Sequence, residues 1–97
     1  MKVVWSPLAI ERAAEEASFI ARDKPEAARR WLEGIFKAID RLERFSLSGR
    51  SVPEFDSAVH RQVTYKSHRM IYRIEGDVIE ILTVRRFKRL LDTSELE

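Results

Sequence analysis

The chain has no cysteine, so it can close no disulfide and offer no thiolate to a metal. That composition suits a reducing compartment. Only three glycines and three prolines occur, and the glycines are too scattered to build a phosphate-cradling loop. No apolar run approaches the roughly 18 residues that a membrane span requires, and no charged-then-apolar leader opens the sequence. A cytoplasmic protein without membrane attachment is therefore expected. Net charge is also scarce: 18 bases against 16 acids leave +2, too little by itself to announce a nucleic-acid partner. What is present is ordinary globular material, 44% hydrophobic and 35% charged, which excludes disorder. Ninety-seven residues cannot divide into two cores large enough to offset chain entropy, so residues 1–97 are read as a single domain.

The charge is unevenly placed. From His60 to Leu91 there are eight bases (Arg61, Lys66, Arg69, Arg73, Arg85, Arg86, Lys88 and Arg89) against three acids, Glu75, Asp77 and Glu80. Residues 1–59 hold ten of each sign, and Asp92, Glu95 and Glu97 follow at the end. A half-solvated sheet does not require that excess, so an anionic ligand or partner is the functional alternative to a merely solvated surface.

The pattern along the chain predicts an α+β fold. KVVW, Lys2 to Trp5, is a β-forming run. Ser6-Pro7 then supplies a cap and a first helical residue. Ile10, Ala13, Ala14, Ala17 and Ile20 fall three and four apart, which places them on one helix face. Arg22-Asp23-Lys24-Pro25 breaks and restarts the helix. Ala28, Trp31, Leu32, Ile35, Ile39 and Leu42 form a second stripe, and so short a connection makes the pair an antiparallel hairpin. Ser46 to Phe55 reads as a loop. Arg61–Tyr65, Arg69–Glu75 and Val78–Val84 read as strands, joined by Lys66-Ser67-His68 and by the Gly76-Asp77 turn. Leu90-Leu91 reads as part of a terminal helix. The expected architecture is an N-terminal strand, a helical hairpin and a three-stranded antiparallel meander, with one small sheet packed on the helices. Met70, Tyr72 and Ile74 should face the helices, leaving Arg69 and Arg73 on an open opposite side.

Few chemistries fit. His60 and His68 lack a carboxylate at metal-ligand spacing and read as surface residues, so no metal and no cofactor are expected. What remains is the basic set together with His68, Tyr65 and Tyr72. Guanidinium forks match phosphate in two-point fashion, and histidine or lysine can carry a proton during phosphodiester cleavage without metal. Trp31 and the helix stripes read as core.

The segments VVWSPLA, PEAARRWLEGIFKAIDRLERF, SGRSVPEF and HRMIYRIEGDVIEILTVRRF resemble the RelE/ParE superfamily of toxins from bacterial type II toxin–antitoxin modules, over nearly the whole chain. The resemblance implies a toxin that arrests growth when free of a co-expressed antitoxin, whose C-terminal segment wraps it. ParE-like members inhibit DNA gyrase; RelE-like members cut messenger RNA on the ribosome without metal. Carried over, the RelE-like candidates are Arg61, His68, Arg69, Arg86 and Lys88. Lys66, Arg73, Arg85 and Arg89 join Arg61, Arg69, Arg86 and Lys88 as target- or nucleic-acid-binding candidates. The sequence departs from the nuclease pattern at Val63 and Phe87, where bases are expected, and at Thr93, near the place of a catalytic tyrosine. The opening SPLA, the PEAARRW helix start and the YRIEGD hairpin resemble ParE-like members instead. A ParE-like toxin without nuclease activity is the favoured expectation. An endoribonuclease, or a member that only binds antitoxin, is the alternative.

Overall fold

A computed structural model describes residues 1–87 and Glu95. The elements are β1 (Lys2–Trp5), α1 (Pro7–Ala21), α2 (Pro25–Asp40), a 3₁₀ turn (Arg41–Glu43), β2 (Arg50–Ser51), β3 (His60–Tyr65), β4 (His68–Glu75) and β5 (Val78–Arg86). They form an α+β fold with one sheet in the order β1-β5-β4-β3-β2. The antiparallel meander β3–β4–β5 is as expected, and it is extended at both edges. β1 pairs parallel to β5, and the two-residue β2 emerges from the segment read as a loop. Both hairpin turns are tight, with positive φ at Lys66 (52°) and Gly76 (60°). His68 consequently belongs to β4 and not to the turn.

Local signals explain the helices. Ser6 accepts a hydrogen bond from the Ala9 amide at 3.0 Å and donates its own hydroxyl to the Leu82 carbonyl at 3.0 Å. One side chain thus caps α1 and ties its start to β5. Pro7 and Pro25 occupy the first helical positions of α1 and α2. The buried stripe of α1 differs from the expected one. Ala9 and Ala13 are buried, with Ala17 and Ile20 packed beside them, whereas Ile10 is 57% exposed and Ala14 faces solvent. Alanines at the contact let α1 sit close to the sheet, so the bulkier Ile10 is turned outward. The α2 stripe is as predicted, with Ala28, Trp31, Ile35 and Ile39 buried and Leu42 continuing it into the 3₁₀ turn. Gly34 makes room for β3: a Cβ there would occupy the place of the Tyr65 ring.

The main core joins Ala9, Ala13, Trp31, Ile35, Ile39 and Leu42 to Met70, Tyr72, Ile79, Ile81 and Val84. Burial of each large aliphatic side chain contributes about 1.5–3 kcal/mol. Tyr72 pairs with Ile81 but Ile71 with Thr83, so Leu82 is an extra residue in β5. Leu82 lies on the opposite face, and the bulge keeps Thr83 on that side, across from Ile71, and returns Val84 to the helix side. The opposite face is therefore not open. Val52, Ile71 and Leu82 form a second buried cluster, roofed by Phe55 from the segment before β3.

Candidate functional site

Cross-strand register brings some of the sequence-selected residues together. Arg69 lies opposite Arg85, and His68 lies opposite Arg86. The free basic floor expected of them does not form, because Arg61, Arg69, Arg73, Arg85 and Arg86 have each been met from elsewhere in the chain. Arg69 is buried and makes a two-point ion pair with Glu54, and a further bond of 3.1 Å to Gln62. A buried guanidinium left unpaired costs several kcal/mol, so Glu54 is a structural requirement. The same pair holds the Glu54 carboxyl below its ordinary range, more than offsetting partial burial. Arg73 pairs with Glu80 at 2.7 Å and approaches Glu75 at 3.4 Å. Arg85 meets Glu95 at 3.2 Å. Arg61 donates to the carbonyls of Gly49 (2.8 Å) and Leu47 (3.3 Å), acting as a loop clamp. Lys66 stays exposed at its turn, with its ammonium 5.5 Å from the Tyr65 ring centroid. Lys88, Arg89 and the Leu90-Leu91 pair lie outside the described residues.

The histidines are not surface residues. His60 is buried, bonds Ser57 through Nδ1 at 2.7 Å and packs edge-on against Phe55. His68 is buried between Trp31 and Glu16. The indole of Trp31 can only donate, so its 3.1 Å contact to Nδ1 makes that atom the acceptor. The ring proton is then assigned to Nε2, which faces Glu16 at 2.8 Å. Arg86 Nε donates to the same carboxylate oxygen at 2.7 Å, and its guanidinium lies 4.2 Å from the Phe19 ring centroid. Burial pushes the Glu16 carboxyl up, but the bonds from His68 and Arg86 outweigh it, and the net displacement is downward. Both nitrogens of His68 are thus engaged, which leaves neither poised to accept a proton from a substrate.

A different set of bases lines open space. Two adjoining hollows, about 440 and 310 Å³, run between α2 and the β2–β3 edge and share Ala38, Arg41 and Thr64. Arg41 and Arg50 border the larger one, with Gln62 and Phe87; Arg30 and Lys37 border the smaller. The reading from sequence missed this groove. Its signal was available: Arg30, Gly34, Lys37 and Arg41 recur at helical spacing on one face. Segment charge totals concealed it, because residues 1–59 balance to zero.

This arrangement of strand, helical hairpin and sheet is that of a toxin-type α+β fold. It matches a solved structure described as the chromosomal ParDE TA system from P. aeruginosa, with a TM-score of 0.76 over 89% of this chain and 95% of that one. At 20% identity, that likeness is one of fold. A family model described as ParE toxin of type II toxin-antitoxin system, parDE, matches residues 3–91. The chain belongs to this ParE toxin family. No curated protein matches the sequence.

Proposed function

We propose that residues 1–97 act as a single toxin domain that arrests growth when free of its antitoxin, and that it does so in the cytoplasm by inhibiting DNA gyrase without hydrolytic chemistry. The observation that carries the non-nuclease reading is the engagement of the candidate catalytic bases. Arg69 is held by Glu54, Arg86 by Glu16, and both ring nitrogens of His68 are occupied. Val63 and Phe87 stand where nuclease bases are expected. Purified protein should slow gyrase supercoiling and accumulate cleaved DNA; unaffected supercoiling at toxin excess would sink the proposal.

The alternative is a ribosome-dependent endoribonuclease built on Arg61, His68, Arg69, Arg86 and Lys88. It requires codon-phased cuts by primer extension on translating ribosomes. A member that only binds antitoxin would leave growth normal when expressed alone.

The partner expected in each case is a cognate antitoxin with an amphipathic, partly acidic segment. Phe19, Ile20 and Phe87 line an apolar hollow with Arg86 and His68, which suits apolar anchors flanked by acid. Added salt should slow its association more than it weakens the final complex.

A further inference from the structure

We propose that the groove between α2 and the β2–β3 edge docks a nucleic-acid strand, its phosphates held by Arg30, Lys37, Arg41 and Arg50 and a base laid on Phe87. Their gathering along one channel points there. Arg12, Arg29, Arg69, Arg73, Arg85 and Arg86 all form ion pairs. Among the described residues, the four groove bases meet no carboxylate within ion-pair distance. Among the same residues Lys2, Arg22, Lys24, Arg44 and Lys66 also form no ion pair, but none of them lines the channel. The acid on the groove wall, Glu33, is taken by Arg29 at 3.0 Å. The bases are exposed, so their extended side chains keep the freedom to follow a polyanion.

The geometry selects a strand over a compact anion. Arg30 to Arg41 spans about 16 Å of helix axis at ~1.5 Å per residue, which matches the rise of about five nucleotides at ~3.4 Å each. Arg50 adds a cation from the sheet side of the same channel. Guanidinium forks suit phosphate oxygens. Phe87, 50% exposed and lining the larger hollow, is an aromatic side chain of the kind on which unpaired bases stack. A peptide of acidic residues alone, such as polyglutamate, would use the cations but carries no ring to stack on Phe87. Thr64 and Ser48 supply hydroxyls along the same wall.

The test is fluorescence anisotropy of the full chain with a labelled short single-stranded DNA, titrated across salt. Each phosphate contact should contribute about 0.7 to the logarithmic salt slope, so the Arg41→Gln/Arg50→Gln double variant should lower that slope by about 1.4. Phe87→Ala should weaken binding by roughly tenfold with the slope unchanged. Lys2→Gln/Arg22→Gln, an equal charge change away from the groove, should retain binding. Equal losses in that control would overturn the assignment, as would absence of binding at low salt. Tighter, equally variant-sensitive binding of a polyglutamate peptide would reassign the groove to a protein partner and overturn it too. Gyrase plays no part in this measurement: retained supercoiling inhibition with lost DNA binding rejects the groove alone, and the reverse rejects only the gyrase reading.

Discussion

Trp31 fixes the tautomer of His68. The indole N–H points at Nδ1 from 3.1 Å, and the opposite ring nitrogen faces Glu16, a residue 52 positions earlier in the chain. α1, α2 and the start of β4 are thereby joined through one imidazole, and Arg86 brings the end of β5 to the same carboxylate.

Nitrogen NMR of the imidazoles should place the His68 proton on Nε2 at neutral pH. Trp31→Phe removes the donor that dictates this, leaves Nδ1 without its partner, and should lower stability by about 1–3 kcal/mol in urea denaturation. An Nδ1-protonated ring in the unaltered protein would contradict the arrangement.

Acid should destabilise the fold through Glu16 and Glu54. Both carboxyls are displaced below their ordinary value of 4.5. In the unfolded chain they take up protons near that value, while the folded state keeps them ionised further down. Their contribution is therefore complete above about pH 4.5 and is lost as pH falls through the folded values. Urea midpoints should drop in that acidic window, and the Glu16→Gln/Glu54→Gln double variant should show a shallower decline. An unchanged slope would reject these groups as the source.

Tyr72 anchors the segment ahead of β2. Its hydroxyl donates to the Ser46 carbonyl at 2.7 Å and accepts from the Gly49 amide at 3.0 Å. Burial raises this phenol above its ordinary value, only partly countered by the Gly49 amide and the Arg61 charge. Tyr72→Phe should cost about 1–3 kcal/mol and accelerate hydrogen exchange at Gly49. Gly49→Ala should also destabilise, by about 1–3 kcal/mol, because a Cβ would press on the Tyr72 hydroxyl and lie 2.8 Å from the Gln62 carbonyl oxygen.

Arg69 and Glu54 should behave as a structural pair. A double-mutant cycle with Arg69→Met and Glu54→Gln should give a coupling of about 1–3 kcal/mol. The single Glu54→Gln change should be the costlier one, since it leaves the buried Arg69 charge uncompensated, whereas the more exposed Glu54 can be solvated once Arg69 is replaced. Independent, additive effects would show that the ion pair contributes little.

The helices and the meander were readable because their signals are local. Ser6-Pro7 and Lys24-Pro25 mark helix starts, and Met70, Tyr72 and Ile74 alternate toward the core as expected. The parallel β1–β5 pairing was not readable, since Val3 meets Ile79 across most of the chain. Nor was the bulge at Leu82, which breaks a period that otherwise extrapolates cleanly. The site was misjudged for a related reason. Composition places arginines on a strand, but their neutralisers come from 15 and 70 positions away, Glu54 for Arg69 and Glu16 for Arg86. Spacing carries no trace of such partners. The α2 stripe of Arg30, Lys37 and Arg41 did leave a trace, and it lay outside the segment whose net charge drew attention.

The parallel seam between the first strand and the last sets an order on biosynthesis. Lys2–Trp5 leaves the ribosome early but has no neighbour to zip against until Val78–Ile81 has also emerged, and such distant closures are slow. A growing chain therefore cannot cover this flank of the sheet until Ile81 has emerged, whatever else has folded before it.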